Sequence, residues 1–168
     1  MMNRWGCLRC GLLLLLLTGL SAGPGKRAAV GQFGSDVELM SVVSKRANVR
    51  EEPDEDAEIL WQMWRFMPVE VIAYRGDWRK VRDLDGDTGW MHKVALADIP
   101  TVMVKSKDAK LRKSRGGKVV WLLDRGFALR VFSVRGDWIE VSDLSTASGW
   151  IHKSAVWGYT TDASLKDN

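Results

Sequence analysis

Arg75-Gly76-Asp77-Trp78 returns as Arg135-Gly136-Asp137-Trp138, and Gly89-Trp90-Met91-His92-Lys93 returns as Gly149-Trp150-Ile151-His152-Lys153. From Ile59 to Lys93, and again from Val119 to Lys153, the offset holds at 60 without a gap, and 14 of the 35 positions are identical. Upstream, Ala47-Asn48-Val49-Arg50 answers Ala109-Lys110-Leu111-Arg112 at an offset of 62, so one turn differs by two residues between the copies. A period near 60 is too long for a solenoid unit and suits a small domain with its own core. The chain therefore reads as two copies of one module, and its function has to suit a module.

Inside each copy the apolar residues alternate. Pro68-Val69-Glu70-Val71-Ile72-Ala73-Tyr74 and Ala128-Leu129-Arg130-Val131-Phe132-Ser133-Val134 have the branched and aromatic composition of strands. Each leads into Arg-Gly-Asp, where Gly permits the turn backbone and Asp supports it by side-chain hydrogen bonding. That turn chemistry accounts for the tripeptide without an adhesion role. A second strand is predicted over Trp78 to Leu84 and Trp138 to Leu144, then a turn (Asp85-Gly86-Asp87 or Ser145-Thr146-Ala147), then a third strand from Gly-Trp. Beyond the first residues no stretch keeps helical spacing over a dozen positions. Five or six short strands in about 60 residues suit a small barrel or an orthogonal sandwich. In the second strand Ile139, Val141 and Asp143 share one face, and Trp138, Glu140 and Ser142 the other. Val141 and Val81 are predicted inside, which leaves Trp138 and Trp78 on the more exposed face unless a bulge intervenes. A large aromatic repeated at such a place marks a candidate binding surface.

The N-terminus has its own signature. Arg4 and Arg9 make a basic start, Gly11 to Leu20 is an apolar run of ten, and Ser21, Ala22, Gly23 and Pro24 follow. This is the three-part layout of a secretory signal peptide, predicted for residues 1–23. The run is short of the roughly 20 residues a spanning helix needs. Cys7 and Cys10 precede the run, so no lipoprotein anchor is predicted, and cleavage would remove both cysteines together with any thiolate chemistry. The expected location is secreted, periplasmic or otherwise extracytoplasmic, with no stable membrane anchor after cleavage. Residues 24–36 read as a flexible lead-in, 37–98 as repeat one, 102–159 as repeat two, and 160–168 as a fraying tail. The short Ile99-Pro100-Thr101 junction predicts modules packed against each other.

The full chain has a formal net charge of +4, and without Arg4 and Arg9 it keeps 23 basic against 21 acidic residues, a net +2. Both signs alternate, as in Arg79-Lys80 with Asp83 and Asp85. A nucleic-acid binder carries a basic stripe instead, so nucleic acid is not an expected partner. A mild bias toward anionic polymers remains.

Taken together these features resemble the bacterial SH3-like family, more narrowly its two-copy secreted members. The residues that carry the resemblance are Arg46-Ala47-Asn48-Val49-Arg50 with Pro53, where the family typically begins an Asn-Leu-Arg-x-x-Pro motif. Pro68 to Ala73, Trp78 to Gly86 and Gly89 to Lys93 complete it. Repeat two lacks the Pro53 equivalent and has Ser145-Thr146 in place of Asp85-Gly86. The resemblance implies an all-β chain of two tandem SH3-like small barrels after an N-terminal signal peptide, and a binding rather than catalytic role. Relatives attached to cell-wall enzymes often serve as peptidoglycan-targeting modules. Proline-rich peptide binding, as in signalling SH3 domains, is not implied, because their acidic specificity loop is not located in this sequence.

The candidate chemistry is modest. His92 and His152 occupy equivalent places after Gly-Trp. As a metal pair they would need the modules to bring them together and a third ligand, and as catalytic bases they lack a nucleophile, so a strand-end structural role is expected. Asp83, Asp85 and Asp87 alternate like a calcium loop, but glycines at 86 and 89 and Val94 at the closing position point to a solvated hairpin. No catalytic residue, metal or cofactor is predicted. Trp61 with Trp121, and Trp90 with Trp150, are expected to build the barrels, since so small a domain needs large apolar side chains. Trp64 has no Trp counterpart, position 124 being Asp; with Arg65 and Phe66 it reads either as core or inter-module packing or as a ligand contact. The candidate ligand-binding residues are Trp64, Arg65, Trp78, Lys93, Trp138 and Lys153. Their aromatics would stack on sugar or peptide, and their cations would meet stem-peptide carboxylates. The expected function is a secreted, non-enzymatic binding or scaffolding module that contacts cell-wall peptidoglycan. The alternative is an envelope interaction module that holds a periplasmic protein through a strand edge or an aromatic groove. The ligand, the repeat that binds it and the oligomeric state are left open by the sequence.

Overall fold

The computed structural model describes residues 38–159; the predicted signal peptide, the lead-in and the tail at 160–168 lie outside the described residues. The alternating stretches form strands throughout. Module one contributes β1 (Glu38–Val42), β2 (Arg46–Arg50), β3 (Ile59–Trp64), β4 (Pro68–Arg75), β5 (Trp78–Arg82), β6 (Thr88–His92) and β7 (Leu96–Ala97). Module two repeats them as β8 (Thr101–Val104), β9 (Ala109–Arg112), β10 (Val119–Leu123), β11 (Ala128–Arg135), β12 (Trp138–Ser142), β13 (Ser148–His152) and β14 (Val156–Gly158). The ladders run β3-β2-β6-β5-β4-β1-β7 and β10-β9-β13-β12-β11-β8-β14, the same order twice. Each module thus has seven strands rather than five or six. The extra ones, β7 and β14, follow a 3-10 turn at Lys93–Ala95 or Lys153–Ala155 and are too short to show a period of two. Among the described residues, no helix is long and apolar enough to cross a membrane.

The Arg-Gly-Asp stretch is a hairpin, as read. Arg75 pairs with Trp78, so Gly76-Asp77 is a two-residue loop, and Gly76 and Gly136 take φ of +55° and +61°, a region that favours glycine. The aspartate also acts through its backbone. Its carbonyl accepts from the backbone N–H of Lys93 or Lys153, at 2.8 and 2.9 Å, which ties the hairpin tip to the 3-10 turn. Ile139 and Val141 point inward as the parity predicts, and Val81 does the same in module one. A register shift between Val71 and Ala73, and between Val131 and Ser133, turns Ile72 and Phe132 outward.

Two cores result. One gathers Val42, Val49, Met63, Val69, Val81 and Met91; the other gathers Leu111, Leu129, Ile139, Val141, Ile151 and Val156. Both modules fall within one compact unit. Leu39 of β1 packs on the second core, and Gly158 of β14 lies against Pro68 of β4. Ser41 and Thr101, both fully buried, sit 2.6 Å apart between the modules, and the Ser41 hydroxyl donates to the Ile99 carbonyl at 2.5 Å. The Tyr159 hydroxyl lies within hydrogen-bonding distance of the Leu39 carbonyl and of Asp98. Burial, then the hydrogen bond to Asp98, raises its pKa far above the ordinary phenol range.

Two tryptophan expectations need correction. Trp121, expected to build the second module, is 49% exposed, whereas Trp61 is half-buried. Trp61 lies in a cleft between the modules with Met103 and Arg125 opposite, and among the described residues nothing equivalent covers Trp121. Trp64 is 53% exposed at the end of β3, which rules out the core reading for that residue.

The two halves of each ladder are joined by one register pair, Arg50 with Trp90 or Arg112 with Trp150. The preceding glycine makes the join possible. A Cβ at Gly89 would stand 2.5 Å from Val49 Cγ1 and 3.0 Å from the Arg50 carbonyl oxygen. One at Gly149, with φ +151°, would be driven into the Arg112 carbonyl itself. Gly149→Ala is therefore expected to lower stability by about 2–4 kcal/mol through overpacking and backbone strain. Gly89→Ala, which meets chiefly a side chain, should cost less, and urea melts of both variants check the order.

Candidate functional site

The end of each β5–β6 hairpin, and of its copy β12–β13, carries one repeated arrangement. Trp78 faces His92 across the ladder and Trp138 faces His152. The rings meet edge to face, at 5.3 Å and 88° in module one and 5.2 Å and 85° in module two. Such pairs contribute about 0.5–1.5 kcal/mol beyond area burial. Each histidine caps the 3-10 turn that follows. His92 Nδ1 accepts from the Val94 N–H at 3.4 Å; His152 Nδ1 accepts from the Ser154 N–H at 3.2 Å and lies 2.7 Å from the Ser154 hydroxyl. This is the strand-end role read from the sequence, and it commits one ring nitrogen of each histidine.

Lys93 and Lys153 are committed as well. Their ammonium groups pair with Asp77 at 2.8 Å and Asp137 at 2.5 Å, across the hairpin tip. The hydrogen bond and charge of the lysine hold each aspartate below its ordinary carboxylate range. Half-exposed lysines that looked free for a ligand are thus fasteners of the turn.

Module two opens a cleft of about 340 Å³ beside this arrangement, lined by Ser106, Asp108, Lys110, Arg112, Trp138 and His152. The Arg112 guanidinium lies 5.9 Å from the Trp138 ring centroid, and its Nη1 donates to the Gly117 carbonyl at 2.6 Å. Arg50 clamps the matching loop of module one in the same way, through Ala57 at 2.6 Å. Ser44, Arg50, Trp78 and His92 in module one stand where Ser106, Arg112, Trp138 and His152 stand in module two. The sequence reading found Trp138 but missed Arg112, Lys110 and His152 as its neighbours. The repeated arginine of Asn48-Val49-Arg50 and Lys110-Leu111-Arg112 was the available signal.

Trp64 and Arg65 stand apart at the β3–β4 turn, where the Arg65 guanidinium lies 4.9 Å from the Phe66 ring. The six sequence-selected residues thus fall in three places: this turn and the two hairpin tips. A second, larger groove of about 480 Å³ runs along module two between Val120, Trp121, Phe132, Glu140 and Trp150. Its counterpart positions in module one carry Leu60, Trp61, Ile72, Lys80 and Trp90, so the lining is not duplicated. Lys80 and Arg75 lie 6.0 and 5.4 Å from the Trp90 ring centroid.

The aspartates that mimic a calcium loop bind backbone. Asp83 Oδ1 accepts from the N–H groups of Asp85 and Asp87, and Asp143 Oδ1 accepts from Ser145, Thr146 and Ala147. Partial desolvation pushes the Asp143 carboxyl up, but those backbone hydrogen bonds prevail and hold it below its ordinary value. Among the described residues, no group of three His, Cys, Asp or Glu side chains is placed to hold a metal ion.

The bacterial SH3 domain family model matches residues 43–98 and 111–158, well over half of the chain. The chain belongs to the bacterial SH3 domain family. Among curated proteins, none matches it. Similar solved structures include NlpC2 from Trichomonas vaginalis, 11% identical with a TM-score of 0.35, covering 74% of this chain and 49% of that one. An NlpC/P60 family protein from Bacillus cereus ATCC 10987 is 16% identical with a TM-score of 0.36, covering 74% and 57%. The CBD of endolysin LysPBC5 is 17% identical with a TM-score of 0.30, covering 73% and 93%. The present chain spans about half the length of the NlpC proteins it matches.

The clasp on the bacterial SH3 hairpin tip has a pH signature. Asp137 is depressed in the folded state, so the pair stabilises above the unfolded carboxylate pKa and loses that effect as pH falls through the folded value. Lys153→Met should therefore melt below wild type at pH 7, with the gap closing toward pH 2; thermal melts across that range measure it.

Proposed function

We propose that this protein is an exported, non-catalytic binding module that contacts cell-wall peptidoglycan through the Trp–His pair repeated in its two bacterial SH3 modules, with Arg50 and Arg112 at matched positions upstream. The observation that carries this reading is the recurrence of Trp78 with His92 and Arg50, and of Trp138 with His152 and Arg112, at matched positions of one topology. A role that belongs to a module should be built from what both modules retain, and this set meets that condition while the larger groove of module two does not. Family membership supports a binding role.

The chemistry suits a carbohydrate–peptide polymer. A half-buried indole edged by a histidine offers a flat apolar surface to a sugar ring or a peptide stem. Arg112 and Lys110 at the cleft supply cations for stem carboxylates, the task that Lys93 and Lys153 give up to their aspartates. The module-two cleft is small and open, so its affinity alone is weak, and a second contact through the Trp78–His92 pair on the same chain adds avidity. The predicted leader at residues 1–23 supports export to where such a polymer lies.

Co-sedimentation with purified sacculi tests the proposal. Wild type should pellet with the wall, and Trp78→Ala with Trp138→Ala should reduce retention about tenfold, the effect of roughly 1.4 kcal/mol. Lys110→Glu, an exposed change that leaves the ladder intact, should weaken retention in the same direction. Wild type left wholly in the supernatant, or equal pelleting of all three, overturns the reading.

A further inference from the structure

The copies share a topology but not the charge of one loop. Between β2 and β3, residues 51–58 read Glu-Glu-Pro-Asp-Glu-Asp-Ala-Glu, six carboxylates with no cation. Between β9 and β10, residues 113–118 read Lys-Ser-Arg-Gly-Gly-Lys, three cations with no carboxylate, and Arg112 adjoins them. The charged side chains of both loops are exposed apart from the half-buried Arg112. Among the described residues no ion pair joins one loop to the other; Glu52 reaches Arg75 at 3.8 Å, and the cations of the basic loop are in none of the ion pairs. Two segregated patches thus stand within the mixture of signs read from the sequence.

Each loop runs directly into a terminal strand of its ladder. Among the described residues β3 pairs only with β2, and β10 only with β9. Both strands expose large apolar side chains: Ile59, Leu60 and Trp64 on β3, and Val120, Trp121 and Leu122 on β10. A terminal strand with apolar side chains and free backbone groups is a template for another chain, and proteins guard such edges with charge. Here the charges guard selectively. Two β3 edges would bring six carboxylates against six, and two β10 edges would bring cation against cation. Only a β3 edge beside a β10 edge places opposite charges together, which gives both attraction and the repulsion that specificity requires.

We propose that this surface docks a second copy of the chain, the β3 edge and 51–58 loop of one copy against the β10 edge and 113–118 loop of the other. A two-fold arrangement satisfies both halves at once, because each chain carries one edge of each kind. The occupant is identified by its charge: the complement of each loop is present on the same polypeptide.

Analytical ultracentrifugation of the full chain tests this by charge exchange. In 20 mM salt wild type should sediment as a pair of copies, and in 500 mM salt the apparent Kd should rise at least tenfold as the loop charges are screened. A variant with Lys113→Glu, Arg115→Glu and Lys118→Glu carries two acidic loops, and one with Glu52→Lys, Asp54→Lys and Glu55→Lys carries a loop of no net charge where the acidic one stood. Each should be monomeric alone, and an equimolar mixture should form the mixed pair. The salt arm reads the same contact with no substitution at all. Wild type that remains monomeric in 20 mM salt overturns the proposal, as do variants that self-associate like wild type. Monomeric wild type that instead binds an anionic polymer through the basic loop would reassign that loop and likewise overturn it.

Discussion

Everything in each module is arranged around a place where two backbones come too close for a side chain. The glycine before Trp90, and its copy before Trp150, lets β6 approach the carbonyl of Arg50 and β13 that of Arg112. That single register pair joins the β2–β3 hairpin to the remaining five strands. It also fixes the arginine, whose guanidinium reaches forward to clamp the next loop. Ladder, arginine and loop are therefore set by one steric allowance, which is why Gly-Trp and the upstream arginine recur together.

Much of this is legible in the sequence. The duplication, the Arg-Gly-Asp hairpin, and the inward parity of Ile139 and Val141 follow from spacing and composition, because local sterics decide them. What escaped was non-local. The bulge at Ile72 and Phe132 depends on the partner strand as well as on the strand itself. The seventh strand is too short to carry a period. Lys93 and Lys153 looked free because their aspartates lie sixteen residues upstream, and only the folded hairpin brings them together. The candidate site was legible at Trp78 and Trp138 alone, since the arginine over Trp138 arrives from a strand in the other part of the ladder.

The differences between the copies carry information of their own. Identical positions report what the module must keep, the hairpin tip, the Trp–His pair and the glycine, whereas core positions such as Val49 and Leu111 or Met91 and Ile151 keep only their apolar character. The loops that follow β2 and β9 share a place, and in each an arginine bonds a carbonyl, yet their charges are opposite. Charge in an exposed loop has little effect on folding, so the fold does not dictate its sign. A sign that reverses between otherwise matched loops is free to serve recognition.

The two indoles at positions 61 and 121 extend the same logic to packing. They occupy one place in the topology, pairing with Val49 and Leu111. Trp61 packs on the core of its own module and lines a cleft whose other side carries Met103 and Arg125 of the second module, with the ion pair between Arg125 and Asp85 alongside. Trp121 has no such cover among the described residues and stands beside the groove of Phe132 and Trp150. The duplicated residue thus has a duplicated position but two environments. In module one it is absorbed by that module's own core. In module two the same side chain is left at the surface, on the strand whose loop carries the positive charge. One copy of the indole is thus covered and the other exposed, and that asymmetry gives the chain a face that exact duplication would not have.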